Sequence, residues 1–224
     1  MTSARTQLRY QAVPSIGLYL ATTKALDDKG NPIVNISWYE TKLWVQENGL
    51  LLPTSKQWID ATAYFRKHHP EMARDMSSRD TQNSIAEWAD GLIAFPQRGN
   101  YAPNLNPRPK PGKHLLLIEG STIDRRNGEG YIVDGGERIE LPKLPTQHGE
   151  LKEPIPELGL ISGDFLDDIS VLYGQGLTAV VRGLWWPGPL GLKFYEVAYK
   201  WPDISTIPRI GFRPARRSVE DDNI

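Results

Sequence analysis

Two helix-start signals, seventeen residues apart, constrain this chain more than anything else in its sequence. Ser37 is followed three residues later by Glu40, and Thr54 by Gln57. In each pair the hydroxyl can take a free backbone N–H while the longer side chain reaches back to the cap residue, satisfying two orphan donors at once. The first box predicts a helix from about Trp38 to Glu47, stopped by Gly49 in the left-handed region. The second predicts a helix ending near His68, with Trp58, Ala61, Thr62 and Phe65 recurring at helical spacing. His68 and His69 close it, where positive charge is favourable. Adjacent helical residues point apart, so this pair is not read as a metal site.

The rest of the chain is short apolar runs between turn residues. Residues 16–25, 115–118, 131–133, 139–141, 158–161, 177–184 and 194–199 read as strands, with Gly135-Gly136 as the turn of a hairpin between two of them. A short helix is expected before Trp88. The chain carries 20 Gly and 18 Pro, and the prolines of residues 104–111 predict an extended surface loop over 95–113. That loop belongs to a larger insert at about 95–150, and the tail 218–224 is expected to fray. Two capped helices followed by many short strands make an α+β pattern in one domain spanning 1–224.

Composition excludes several functions. Cysteine is absent, which removes disulfides, thiolate metal sites and Cys nucleophiles together. A net charge of −1 argues against nucleic acid as the main partner, because phosphate binding needs a basic surplus. No run approaches the roughly 20 apolar residues of a membrane helix, and residues 1–11 lack the apolar core of a secretory signal. The expectation is a soluble protein without membrane insertion, cytoplasmic or virion-associated. Asp164, Asp167 and Asp168 cluster, and Asp124-Arg125-Arg126-Asn127-Gly128-Glu129 has some oxygen ligands. Neither has calcium-loop spacing, so both read as solvated loop carboxylates. No catalytic residue, metal ligand or cofactor is assigned.

A series of phrases stands in order along the chain: Pro32-Ile33-Val34-Asn35-Ile36-Ser37-Trp38-Tyr39-Glu40, Leu52-Pro53-Thr54-Ser55-Lys56-Gln57-Trp58, Ala86-Glu87-Trp88, Val181-Arg182-Gly183 and Ile210-Gly211-Phe212-Arg213. The series resembles the formylglycine-generating-enzyme family. That resemblance implies a C-type lectin fold, with Glu87-Trp88 in a turn. The family's copper-binding cysteines are missing here, and the four histidines form no recognisable three-His site. The calcium-dependent sugar-binding signatures of lectins are missing too.

A second branch of that fold is closer. The chain resembles the variable proteins of diversity-generating retroelements, in which an Arg-Gly-Gly-Ser-Trp segment runs to a closing Ile-Gly-Phe-Arg. Here Arg182-Gly183-Leu184-Trp185-Trp186-Pro187-Gly188 opens the equivalent segment and Ile210–Arg213 closes it; Glu87-Trp88-Ala89-Asp90-Gly91-Leu92 is similar to another phrase of these proteins. The resemblance implies that Arg182, Gly183, Trp186, Gly211, Phe212 and Arg213 are structural. It implies that Trp185, Pro187, Gly188, Leu190, Tyr195, Glu196, Tyr199, Lys200, Trp201, Asp203, Ser205 and Ile207 form a diversified binding surface. Six of the chain's 21 aromatic residues fall between 184 and 211, one eighth of its length. Exposed Trp and Tyr give rigid contact area at low entropy cost, which suits a surface for a protein ligand or receptor. The expected function is therefore non-enzymatic ligand binding. The alternatives are an enzyme or enzyme remnant of the formylglycine-generating family, or an undiversified virion or tail protein.

Overall fold

The computed structural model describes residues 8–76, 86–94, 105–110, 114–126, 130–141, 149–162, 165–167, 177–186, 188–196 and 210–217. Within these, the side chains at 126, 130, 149–150, 165–167, 184–186 and 188–196 lie outside the description. The architecture is α+β.

Both expected helices form where their boxes put them. Helix α1 is Trp38–Glu47 and α2 is Ser55–His68. The Glu40 N–H donates to Ser37 Oγ at 3.1 Å and the Ser37 N–H donates to Glu40 Oε2 at 3.0 Å. Thr54 and Gln57 make the same exchange at 3.2 and 2.9 Å. Helix α1 buries Trp38, Tyr39, Thr41, Lys42 and Val45, the stripe expected of a helix with one face on a core. Helix α2 buries Trp58, Ala61 and Phe65 against α3 (Pro70–Met76), which contributes Met72, Ala73 and Met76. Trp58 and Phe65 are wholly buried, each stabilising the fold by roughly 1.5–3 kcal/mol through apolar burial.

Strands β1 (Tyr10–Val13) and β2 (Leu18–Ala21) pair antiparallel, and β14 (Ala215–Arg217) adds to β2. The two ends of the described chain thus share one small sheet. The large sheet runs in the order β8 (Glu137–Leu141), β5 (Leu115–Glu119), β3 (Ala86–Ala94), β11 (Leu177–Trp186), β12 (Gly188–Glu196), β10 (Phe165–Asp167), β9 (Gly149–Glu150), and β13 (Ile210–Phe212) also pairs with β3. A third sheet holds β4 (Leu105–Asn106), β7 (Gly130–Asp134) and β6 (Thr122–Arg126) in that order.

Strand β3 is the middle of the fold, and all nine of its residues are buried. Ala86, Trp88, Leu92 and Ala94 pack with α1; Ala89 and Ile93 pack on the opposite face with Leu117, Val180 and Leu158. The register with β11 slips between Ala179 and Val181. There the Trp38 indole N–H donates to the Ala89 carbonyl at 2.9 Å, and the Asp90 N–H donates to the Pro53 carbonyl at 2.8 Å. Groups just ahead of and within the two helices thus satisfy backbone that the ladder leaves unpaired.

Several expectations need correction. Gly135-Gly136 does not turn a hairpin. Strand β7 pairs with β6 and β8 pairs with β5, so the chain changes sheets at these glycines. Alternating apolar residues on both sides of a Gly-Gly pair cannot distinguish a hairpin from such a corner. Ala86-Glu87-Trp88 is the start of the central strand rather than a turn, while a short helix does precede Trp88, as α3 at Pro70–Met76. Residues 158–161 form no strand: Pro156–Leu158 is a 3-10 turn closed by a bridge between Ile155 and Leu160, since proline at 156 presets helical φ. Residues 124–126 belong to β6 rather than to a loop. The 95–150 stretch supplies β5 and β8 to the large sheet, and Leu105–Asn106, inside the expected loop, is strand β4.

Candidate functional site

The segment singled out from the sequence begins on a hairpin. The backbone of Trp185 lies in β11, and those of Gly188, Leu190, Tyr195 and Glu196 lie in β12. Thr178 pairs with Glu196, Ala179 with Tyr195 and Trp186 with Gly188. Pro187, Tyr199, Lys200, Trp201, Asp203, Ser205 and Ile207 lie outside the described residues, as does the side chain of Trp186.

The two ends of that segment lie on either side of one strand. On β3, Glu87 stands opposite Arg182 of β11 on one side and opposite Gly211 of β13 on the other; Trp88 likewise separates Val181 from Phe212. Adjacent strands lie about 4.8 Å apart, so the two stems are held about 10 Å from each other. The two ends of the segment between Arg182 and Arg213 thus flank one strand, while β12, inside the segment, belongs to the same sheet on the far side of β11.

Each stem carries a fully buried arginine. Arg182 is 0% exposed; its Nε donates to Ser55 Oγ at 2.9 Å and its Nη2 to the Leu158 carbonyl at 2.8 Å. The next residue, Gly183, has φ +78°, and a Cβ there would come within 2.8 Å of the Met76 carbonyl oxygen. No residue other than glycine fits both the backbone and the space. Arg213, also 0% exposed, donates from Nη2 to Glu87 Oε1 at 2.9 Å, from Nη1 to the Ala21 carbonyl at 2.9 Å, and from Nη2 to Asp75 Oδ2. Glu87 further accepts the Trp58 indole N–H at 2.9 Å and pairs with Lys24 at 3.3 Å. Burial pulls the Glu87 carboxyl toward protonation, but the Arg213 guanidinium and the Lys24 ammonium outweigh it and leave the group below its ordinary range. Asp75 is shifted the same way by the same two cations against its own burial. This cluster stays ionised, and it fastens β13 to β3.

A second polar cluster lies on the other face of β3. Lys42 donates to Asp90 Oδ1 at 2.9 Å, and the Gly120 N–H donates to Asp90 Oδ2 at 3.0 Å. Burial pushes the Asp90 carboxyl up despite Lys42. Burial, with Asp90 and Glu137 as like-charged neighbours, pushes the nearby Glu119 carboxyl up to about 8. Glu119 Oε1 and Ser121 Oγ are buried with no hydrogen-bond partner among the described residues. At neutral pH Glu119 keeps its proton, and it can release it within a physiological range.

Sequence reasoning placed Arg182, Gly183, Gly211, Phe212 and Arg213 in the framework, and these five described positions are buried or tightly packed. It missed Lys24, Lys42, Asp75, Asp90 and Glu119. One signal existed: Lys42 falls on the same helical stripe as Trp38 and Val45, where a charge must find a partner. His68 is exposed and stacks on Tyr64 with ring centroids 4.5 Å apart. Among the described residues, no group of three or more His, Cys, Asp or Glu could hold a metal ion, and no helix is long and apolar enough to cross a membrane. Compared with protein-family models, with curated proteins and with solved structures, the chain finds no match.

Proposed function

We propose that this is a non-enzymatic binding protein of C-type lectin fold that presents side chains of the segment between Arg182 and Arg213 as a variable surface for a protein ligand. The single observation that carries the reading is the clamping of both stems of that segment to Glu87 and Trp88 of one central strand. A surface that must accept many side chains needs stems whose energetics do not depend on them. Here the stems are held by Arg182 and Arg213, whose partners Ser55, Leu158, Glu87 and Asp75 all lie outside the segment. The pairing of β14 with β2 and the two capped helices also support the fold assignment.

The test is a paired alanine scan read by thermal midpoint and by binding to the partner, with the flanking DNA searched for an imperfect repeat differing at adenines. Trp185→Ala, Tyr199→Ala and Trp201→Ala are expected to shift stability by less than about 0.5 kcal/mol while each weakens binding by roughly 1–4 kcal/mol. Phe212→Ala, a truncation of a wholly buried ring, is expected to cost roughly 3–5 kcal/mol of stability. Collapse of the fold in all three segment variants would make those aromatics core and remove the display reading.

A further inference from the structure

Strand β8 is one end of the large sheet: among the described residues it pairs with β5 and with no other strand. A strand in that position presents a row of backbone N–H and C=O groups that its own sheet leaves unpaired. Its ladder has defined limits. Gly136 precedes it with φ +87°, in the left-handed region, and Pro142 follows it with no N–H to donate. A partner at this edge therefore meets Glu137-Arg138-Ile139-Glu140-Leu141 and little more backbone.

Alternation divides the side chains of this strand between two faces. Leu141 is buried with Leu115, Leu117 and Val180, and half-buried Ile139 packs against the same cluster. Glu137, Ile139 and Leu141 thus share that face, and Arg138 and Glu140 share the other. Arg138 donates from Nη2 to the Pro107 carbonyl, and Glu140 is exposed. Among the described residues, neither of these two charges forms an ion pair.

We propose that β8 pairs antiparallel with β8 of a second copy of this chain, about a two-fold axis through Ile139, so that two large sheets join into one. On that axis Arg138 of each copy stands opposite Glu140 of the other, Ile139 opposite Ile139, and Glu137 opposite Leu141. The charges select this register. Moving the axis one residue back sets Arg138 against Arg138, and one residue forward sets Glu140 against Glu140; like charges directly opposite are destabilising. An edge of one sign would repel its own copy, whereas this edge carries its own complement. The Ile139 pair continues the apolar face across the joint. A contact of five residues a side buries little area, so the association is weak and depends on concentration. Strands β5 and β3 stand between β8 and the β11–β12 hairpin, so the contact does not use the segment assigned to ligand binding. The pairing does not depend on that assignment; where both hold, the dimer offers two such segments to one ligand and gains avidity.

Sedimentation equilibrium of the full chain, over about a hundredfold range of concentration, tests the pairing. The weight-average mass is expected to climb from that of one chain toward that of two. Glu140→Arg, at an exposed position, sets like charges opposite each other at both symmetry-related pairs and should weaken association about tenfold or more. Arg138→Glu combined with Glu140→Arg exchanges the two charges and should return association to within about threefold of the wild type. The chain has no cysteine, so Ile139→Cys places a single thiol at the axis. A short bismaleimide should link that variant into covalent dimers, and should link Glu47→Cys, exposed at the end of α1, far less. A chain that stays monomeric throughout, association that Glu140→Arg leaves unchanged, no recovery in the folded double variant, or equal linking of the two cysteine variants would each overturn the pairing.

Discussion

Glu87 and Asp90 stand three residues apart on the same strand, both at most 5% exposed, yet their carboxyls shift in opposite directions. Burial acts on both in the same sense, so the difference lies in the neighbours. On the α2 face, two cations, Arg213 and Lys24, meet two carboxylates, Glu87 and Asp75, with the Trp58 indole N–H completing the shell. On the α1 face, Lys42 alone meets Asp90, with Glu119 and Glu137 close behind. A buried carboxyl falls below its ordinary range when its partners' charge and hydrogen bonds outweigh burial, and rises above it when they do not. One strand therefore carries a lock on one face and a titratable cluster on the other.

The largest expected effect tests the lock. Glu87→Ala strands the Arg213 and Lys24 charges in the core, and breaking a buried pair from one side typically costs 3–5 kcal/mol, or roughly that here. Urea denaturation should show it. A loss below about 1 kcal/mol would mean that solvent already reaches the cluster, and the contrast between the two faces would collapse.

The pH dependence of stability should separate the faces by sign. Glu87 and Asp75 have lowered folded-state values, so their contribution is present above the ordinary carboxylate range and is lost as pH falls through those values. Glu119 has a raised one, so its contribution is full below its unfolded value and is lost as pH rises through about 8. Denaturation midpoints of the wild-type chain should thus decline from about pH 5 to pH 8, and Glu119→Gln should remove that decline. The difference can amount to a few kcal/mol at most, since each pKa unit is worth about 1.4 kcal/mol. Coincident profiles for the two proteins would show that Glu119 ionises freely in the folded state.

The smallest effect concerns the rim of the lock. Asp75 has a side chain 49% exposed, so water screens its pairing with Arg213 and Lys24. Asp75→Asn should cost less than about 1 kcal/mol and should preserve most of the acid limb of the stability profile. A loss as large as that of Glu87→Ala would place the centre of the lock at Asp75 instead.

How much of this was legible depended on how local each signal was. Ser37 with Glu40, and Thr54 with Gln57, exchange hydrogen bonds within a single turn, so residue types and spacing sufficed. Arg182-Gly183 and Phe212-Arg213 were also legible as framework, although only by resemblance; their physical reasons, the Met76 carbonyl beside Gly183 and the Glu87 carboxylate under Arg213, come from elsewhere in the chain. Strand β3 was misread because Glu87, Asp90 and Gly91 interrupt what a buried strand normally shows as an apolar run. Those same residues hold both charged clusters and the register slip. Gly135-Gly136 was misread because a sheet corner and a hairpin demand the same left-handed glycines.

The sequence by itself determined the two helix starts, the α+β class and the elimination of thiol chemistry. Each follows from residue types that act on their immediate neighbours or are simply missing. Only the tertiary structure decided which strands pair, that the two ends of the 182–213 segment flank one strand, and which buried carboxyls keep their charge. Those properties depend on groups brought together across 29 positions for Trp58 and Glu87 and 126 for Glu87 and Arg213. A carboxyl's state is set by the field and water at its oxygens, and neighbours along the chain supply little of either.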